Sequence, residues 1–444
     1  LPQCATGGVG FPAIRPAVAV LRLQSPAAAH LRRGSKKKAM SDWTSGNELK
    51  LLENGEELYP RIFEAIRGAR EEVVLETFIW MEDNVGLQLR DALVAAAERG
   101  VQVRALVDGY GSPAFSAEFL ESLAAAGVRL DSFDPQPTFL AMRTNLLCRM
   151  HRKIVVIDGE RAFVGGINYS DEHLRNFGER SKQDYAVEVT GPVVKDIHDY
   201  CRYRKDVHGG PPWKRLRRWL RRFPREMINP GEDAQALFVF RDNQQHPTDI
   251  ETMYRAGIRN ARKRIVIANA YFFPGYRFIR DLRGAAKRGV DVCLIMQGKP
   301  DRPLSVWAAS ILYDDLLSMG VRIFRYTDRA LHGKVATIDD RWATVGSSNL
   351  DPFSLGLNLE ANIFVLDARF NGDLQRNLDG LIENSCAEVR TGGRPRQSAL
   401  RRLILTAAYH FMRRMPGWGT HLPYHEQRIQ PLRPPGKACD TGDL

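Results

Sequence analysis

Two rhythms of apolar and polar residues follow one another along the chain, and the pair occurs twice. A stretch with apolar residues three and four apart leads into a β-branched run, VVLETF (73–78). Another such stretch, GLQLRDALVAAAERG (86–100), leads into VQVRALVD (101–108). The succession returns as IVIANAYF (265–272), GYRFIRDLRGAAKRG (275–289) and VDVCLIM (290–296). Spacings of three and four place the apolar residues on one helix face, and short β-branched runs fit buried strands. Helices alternating with strands at this interval predict an α/β protein whose sheets are flanked by helices. Each half then adds a hairpin, with Asp158-Gly159 at the tip of the first and Asp339-Asp340 at the tip of the second.

The two halves align as an internal repeat. AREEVVLETF (69–78) matches ARKRIVIANA (261–270), and ERGVQVRALVDG (98–109) matches KRGVDVCLIMQG (287–298). A third pair matches HRKIVVIDGERAFVGGIN (151–168) to HGKVATIDDRWATVGSSN (332–349). All three run in the same order, so fusion of two similar α/β units is the economical reading. This divides the chain into a basic leader (1–39), a first lobe (40–208), a basic amphipathic linker (209–232), a second lobe (233–388) and a basic tail (389–444).

A length of 444 residues with 44% hydrophobic residues excludes disorder and leaves ample material for buried cores. The six cysteines, Cys4, Cys148, Cys201, Cys293, Cys386 and Cys439, form neither a CxxC pair nor a zinc-spaced cluster, so no disulfide framework and no metal site is expected. No window approaches the roughly 18 apolar residues of a membrane-spanning helix. The net charge of +12 is concentrated: residues 1–39 contribute +7, residues 213–226 contribute +6, and the remainder sums to −1. A nucleic-acid groove calls for dispersed basic residues, so a nuclease is the lesser alternative and no nucleic acid partner is expected. The leader begins with Leu1 and lacks usable periodicity up to Met40. It reads as an upstream extension, with a basic targeting or membrane-contact arm as the competing view.

The chemistry lies in the third repeated pair. Each hairpin carries HxKx4D: His151, Lys153 and Asp158 in one, His332, Lys334 and Asp339 in the other. Residues two apart in a strand share a side, so each strand offers an imidazole and an ammonium together. Gly165-Gly166 with Asn168, and Gly346-Ser347-Ser348 with Asn349, follow the return strands. Small residues admit a ligand close to the backbone, and the Asn168 and Asn349 amides with the Ser347 and Ser348 hydroxyls suit a phosphate oxygen. Two imidazoles meet the needs of phosphodiester exchange: one attacks phosphorus, and the other protonates the departing alkoxide and later deprotonates the acceptor. Two lysines provide the charge stabilisation a metal would otherwise give, so no cofactor is needed. A nucleophilic histidine needs its second nitrogen held by an acceptor. Asp184, 33 residues after His151, and Glu360, 28 residues after His332, are the expected holders, one within each half. Asp158 and Asp339 are expected to hold turns.

At these residues the chain resembles the phospholipase D superfamily, whose HKD motif occurs here twice. From about Glu48 to Ala387 it is similar, more specifically, to bacterial cardiolipin synthases, nearest their B type, through LLENGEELYP, LETFIWMEDNVG, MHRKIVVID, KQDYAVEV, IANAYFFPGYRF, LHGKVATIDD and WATVGSSNLDPFSLGLNLEAN. The resemblance implies two phospholipase D-type lobes related by a pseudo-twofold, with the motifs meeting at the lobe interface. It implies transphosphatidylation between two phosphatidylglycerol molecules, yielding cardiolipin and glycerol through a phosphatidyl-histidine. His151 is then the nucleophile and His332 the general acid and base. Hydrolysis to phosphatidic acid differs only in the acceptor.

Such an enzyme must reach an anionic phospholipid at a membrane surface. Residues 213–225 place Trp213, Leu216, Trp219, Leu220 and Phe223 at helical spacing among arginines that include Arg215, Arg218 and Arg222. This pattern predicts an interfacial helix, and with the resemblance it implies peripheral attachment to the cytoplasmic face of the bacterial inner membrane. Residues 400–424, with Arg401, Arg402, Arg413 and Arg414 framing apolar positions, form a second candidate.

Overall fold

The computed structural model describes residues 42–135, 138–139, 142–143, 148–202, 234–243, 245–299, 313–390, 407 and 428–434, all within one compact unit, residues 41–444. The basic leader, the linker with Trp213, Arg215, Arg218, Trp219, Arg222 and Phe223, and all of 400–424 except Ala407 lie outside the described residues.

The first lobe runs β1 (Glu48–Glu53), α1 (Asn54–Arg67), β2 (Glu72–Thr77), α2 (Asn84–Glu98), β3 (Gln102–Asp108), α3 (Ala117–Ala125) and β4 (Arg129–Phe133). It continues through two-residue strands β5 (Thr138–Phe139) and β6 (Met142–Arg143) to β7 (Ile154–Ile157), β8 (Arg161–Gly165), β9 (Lys182–Gln183), β10 (Tyr185–Thr190) and α4 (Val193–Arg202). The second lobe repeats the plan: β11 (Gln235–Arg241), α5 (Asp249–Asn260), β12 (Arg264–Asn269), α6 (Tyr276–Lys287), β13 (Asp291–Gln297), α7 (Tyr313–Ser318) and β14 (Arg322–Tyr326). After β15 (Ala330–Leu331) come β16 (Lys334–Ile338), β17 (Trp342–Gly346), α8 (Pro352–Gly356), β18 (Glu360–Leu366), α9 (Ala368–Ser385) and β19 (Cys386–Glu388).

Each lobe holds an eight-stranded mixed sheet, ordered β1-β10-β8-β7-β2-β3-β4-β20 in the first and β11-β18-β17-β16-β12-β13-β14-β19 in the second. The parallel pairs β2–β3–β4 and β12–β13–β14 come from helical crossovers, and the hairpins β7–β8 and β16–β17 are antiparallel. The eighth strands differ in origin. The second lobe takes β19 from its own end, whereas the first takes β20 (Ile429–Pro431) from the C-terminal segment.

The strands read as continuous apolar runs because both faces of each sheet are covered. Val73, Leu75 and Val155 pack outward under the helices of the first lobe, and Ile265, Ile267 and Ala336 do so in the second. The alternate residues Val74, Val156, Val164 and Val187 form one further core with Val266, Ala268, Val345 and Ile363 of the other lobe. The sheets therefore meet through their inner faces. Each buried Val or Ile contributes roughly 1.5–3 kcal/mol, which makes the two lobes one folding unit. Helices α4 and α9 pack into the same core. Among the described residues no helix is long and apolar enough to cross a membrane.

Candidate active site

The chain segments carrying the two histidines are stitched to opposite lobes. The His151 N–H donates to Leu359 O at 2.9 Å and the Leu359 N–H to Arg149 O at 2.8 Å. Symmetrically, the His332 N–H donates to Gln183 O at 2.8 Å and the Ala330 N–H to Ser181 O at 3.0 Å, with β15 running parallel to β9. Each histidine thus pairs with the residue just before the other lobe's carboxylate: Leu359 precedes Glu360, and Gln183 precedes Asp184.

That register overturns the expected pairing of histidines with carboxylates. His151 Nδ1 lies 3.1 Å from Glu360 Oε2, and His332 Nδ1 lies 2.5 Å from Asp184 Oδ2. Asp184 and Glu360 do hold the imidazoles, but each reaches across the interface rather than serving its own half. Sequence separation misled because the short bridging strands bind each histidine to the facing lobe. Both carboxylates are fully buried. With Nδ1 engaged, each imidazole presents Nε2 for reaction.

Lys153 and Lys334 are buried beside the histidines. Lys153 Nζ donates to His151 O at 2.7 Å; Lys334 Nζ donates to His332 O and sits 3.7 Å from Asp184 Oδ2. Arg152, between His151 and Lys153, turns instead to Glu76, Nε to Oε2 at 3.0 Å with both side chains buried.

The small residues after the hairpins serve the carboxylates before any ligand. A Cβ on Gly166 would lie 2.4 Å from Asp184 Oδ1, so glycine is required for that carboxylate's approach. Ser347, at the equivalent place, donates its hydroxyl to Glu360 Oε2 at 2.5 Å. The Ser348 hydroxyl donates to Asn349 O at 3.3 Å. Asn168 accepts the Ile79 N–H at 3.2 Å, and Asn168 and Asn349 are both buried. The Ser347 and Ser348 hydroxyls expected to face a phosphate are engaged within the protein.

Asp158 and Asp339 occupy the hairpin tips with positive φ, 52° and 50°. Asp158 accepts the backbone N–H groups of Arg70, Glu71 and Glu72 at 3.0, 2.8 and 2.9 Å. Asp339 accepts those of Arg262, Lys263 and Arg264 at 3.0, 2.8 and 3.0 Å. These aspartates clamp the hairpins to the starts of β2 and β12, as their turn positions suggested.

Burial governs the electrostatics. Desolvation, opposed by Glu360 and reinforced by Lys153, brings His151 down to about 4. Burial, then Lys334, brings Lys153 down to about 7. Burial also holds His332 well below the ordinary histidine value, reinforced by Lys334, Lys182, Lys153 and His151. Burial works to raise Glu360, but His151, Lys153 and the Ser347 hydroxyl outweigh it and leave the carboxylate below its usual value. Both imidazoles are neutral near pH 7, the form in which Nε2 can attack or accept a proton.

Sequence reasoning missed four neighbours. Asp108 Oδ2 accepts the Met150 N–H at 2.7 Å, fixing the approach to His151, and burial raises Asp108 to about 6 against its backbone hydrogen bonds. Gln297, its repeat equivalent, accepts the Leu331 N–H at 2.7 Å. A polar residue ending the third aligned strand in both halves was the available signal. Phe78 packs edge-on against His151, ring centroids 4.9 Å apart, and His173 packs likewise against His332 at 5.6 Å. Neither has a like residue in the other half to mark it.

The model of the family described as "Cardiolipin synthase, PLD-like domain" matches residues 62–201 and 254–382. The chain is 50% identical over 404 residues to cardiolipin synthase B of Escherichia coli strain K12, covering 90% of this chain and 96% of the relative. The figures for cardiolipin synthase B of Shigella flexneri are the same. It is 35% identical to cardiolipin synthase A of Pseudomonas fluorescens, over 75% of this chain and 68% of that one. Among solved structures, phosphatidylserine synthase of Haemophilus influenzae superposes with a TM-score of 0.61 at 16% identity, covering 84% of this chain and 96% of that one; this likeness concerns the fold alone.

Proposed function

Because this chain belongs to the cardiolipin synthase family of phospholipase D-like phosphatidyltransferases, we propose that it joins two phosphatidylglycerol molecules at the paired histidines. His151 Nε2 attacks the phosphorus of the first phosphatidylglycerol, forming a phosphorus–nitrogen bond as the phosphorus–oxygen bond to glycerol breaks. His332, which takes up a proton from solvent as the negatively charged phosphodiester binds beside it, gives that proton to the leaving oxygen. A hydroxyl of the second phosphatidylglycerol then gives its proton back to His332 and attacks the phosphatidyl-histidine, releasing His151 and cardiolipin. The Lys153 and Lys334 ammonium groups oppose the negative charge gathered on the phosphoryl oxygens at both transition states. Asp184 steadies His332, and Glu360 steadies His151.

The observation that carries this reading is the crossed pairing. Two neutral imidazoles from different lobes, each held at Nδ1 by a buried carboxylate, flank two buried ammonium groups. That set suits a phosphodiester, whose single negative charge matches the lysines and whose two exchangeable oxygens match the histidines. Contact with the membrane is assigned to the basic amphipathic segment around Trp213–Phe223, at the cytoplasmic face of the inner membrane.

Labelled phosphatidylglycerol in mixed micelles containing EDTA, followed by lipid separation, tests the reaction. Cardiolipin and free glycerol are expected, and His151→Ala and His332→Ala should each abolish them. Phosphatidic acid as sole product would mean hydrolysis instead, and loss of turnover in EDTA would overturn the metal-free chemistry.

A further inference from the structure

His173 belongs to no part of the reaction described above, yet its imidazole is fully buried and packs edge-to-face on the ring of His332 across the lobe interface. A ring nitrogen of His173, a carboxylate oxygen of Asp184 and a ring nitrogen of His332 all lie within 4.8 Å of one another. Its protonation pattern follows from its neighbours. The Asn168 N–H donates to His173 Nε2 at 3.3 Å, so Nε2 carries the lone pair. Burial, reinforced by Lys182, holds the ring neutral. The proton therefore sits on Nδ1, and Nδ1 has no hydrogen-bond partner among the described residues. A buried N–H donor without an acceptor is uncommon enough to require a reason.

The three donor atoms invite a metal reading, but the tautomer opposes it. A cation on Nε2 would displace the Asn168 N–H, and one on Nδ1 would move the proton to Nε2, directly against that N–H.

Comparison of the lobes shows what His173 replaces. By the 181-residue offset of the third repeated pair, Ser354 stands where His173 does. The equivalence holds in the backbone: Ser170, three residues before His173, caps its short helix, and Asp351, three before Ser354, caps α8. By the 192-residue offset of the first pair, Ala270 stands where Phe78 does. At His151 the neighbouring ring is Phe78 of the same lobe, whose counterpart in the repeat is the small Ala270. At His332 the neighbouring ring is His173 of the other lobe, whose counterpart in the repeat is the small Ser354. Each catalytic ring thus has an aromatic neighbour, a phenyl at His151 and an N–H-bearing ring at His332.

We propose that His173 is a positioning residue for His332, its ring edge fixing the imidazole and its Nδ1–H providing a donor to the Asp184–His332 pair as that pair shifts during proton transfer. The inference rests on His332 being the acid and base of the proposed reaction. Lys182 and Asp184 from the first lobe, Lys334 from its own strand, and Lys153 and His151 across the site act on the His332 ring. His173 adds the positive end of an N–H dipole to this set. That dipole disfavours protonated His332, and its removal should raise the pH at which His332 takes up a proton.

Three substitutions separate the donor from the bulk. His173→Phe keeps the ring and removes both nitrogens. His173→Asn places an amide N–H near the position of Nδ1, whereas His173→Gln places its amide near Nε2, where it can still accept the Asn168 N–H. With the full-length protein and phosphatidylglycerol micelles, His173→Phe should lower kcat by at least about ten-fold with little change in KM. The limb of the pH profile set by His332 should move to higher pH, and His173→Asn should restore more activity than His173→Gln. Thermal melts of all three confirm folding. Wild-type kcat and pH profile in a folded His173→Phe, or better rescue by His173→Gln than by His173→Asn, would overturn the proposal and make His173 a loop anchor. Activity in His332→Ala would instead overturn the assignment of His332, a separate failure.

Discussion

The crossed grip of carboxylates on histidines can be tested without turnover, through energetic coupling. Four single variants, His151→Ala, His332→Ala, Asp184→Asn and Glu360→Gln, combine into four doubles, each with one histidine and one carboxylate. The amides keep volume and remove charge, and Glu360→Gln retains an acceptor for the Ser347 hydroxyl. A hydrogen bond to a charged group contributes about 1.5–3 kcal/mol, and residues in contact couple by about 0.5–3 kcal/mol. Both crossed doubles, His332→Ala with Asp184→Asn and His151→Ala with Glu360→Gln, should show coupling within that range. The uncrossed doubles, His151→Ala with Asp184→Asn and His332→Ala with Glu360→Gln, should be additive within about 0.5 kcal/mol. Urea unfolding followed by far-UV circular dichroism supplies the free energies, and the core shared by both sheets favours one cooperative transition. Coupling in the uncrossed doubles, or its absence in the crossed ones, would refute the pairing. In turnover, Asp184→Asn and Glu360→Gln should each lower kcat by roughly 10–100-fold, the kinetic equivalent of one such bond.

Other outcomes follow from particular groups. His151, held near 4 by burial, binds a proton more readily when unfolded, near 6.5. The stability this gives is complete above about pH 6.5 and is lost as the pH falls toward 4, roughly 3 kcal/mol in all; His151→Gln should therefore lose less stability than wild type over that interval, and an equal loss would contradict the burial argument. Lys153, brought to about 7 by burial and Lys334, should make kcat/KM fall as the pH rises through that value, while bound phosphodiester moves the limb upward in kcat; a flat kcat/KM from pH 7 to 9 would exclude an ammonium role for it. Asp158→Ala removes an acceptor of three backbone N–H groups at a residue with φ of 52°, so it should lower stability by about 2 kcal/mol or more while the folded fraction keeps its kcat; a melt and an active-site titration separate the two. Changing Arg215, Arg218 and Arg222 together to Gln should abolish flotation with anionic vesicles, and unchanged flotation would move membrane contact elsewhere.

Periodicity and repetition made most of this protein legible. Alternation of helix and strand foretold the sheets, the three repeated segments foretold the equivalence of the halves, and HxKx4D found the imidazoles and ammonium groups. The partners of those groups were harder to see. Asp184 and Glu360 were recognisable as carboxylates on strands, but their exchange depends on Leu359 and Gln183 hydrogen-bonding the opposite histidine, a register no local pattern records. Gly166 and Ser347 resembled ligand-binding small residues because the carboxylates that occupy their space lie 18 and 13 positions away in the chain. His173 was invisible for the opposite reason: repetition highlights what is alike, and its significance comes from what differs.

That contrast between backbone and side chains gives two like residues unlike surroundings within one repeated fold. The bridging ladder is symmetric, with His151 on Leu359 and His332 on Gln183 at nearly equal lengths. The symmetry ends at the groups that touch the rings. A shorter carboxylate, Asp184, is matched by Gly166, where any side chain would collide with it; the longer Glu360 is matched by Ser347, whose hydroxyl it accepts. Phe78 backs one imidazole and His173 the other. Phe78 and His173 are rings packed edge-on in both cases, so the ring contact is preserved while the electrostatic setting diverges. A wholly symmetric pair would give both imidazoles the same proton affinity and the same fit for phosphorus. The proposed reaction asks one ring to bond to phosphorus while the other carries the proton, and an asymmetric shell suits that division. Because each carboxylate is supplied by the lobe opposite its histidine, neither lobe alone contains a complete pair, and assembly of the inner core is a precondition for the chemistry.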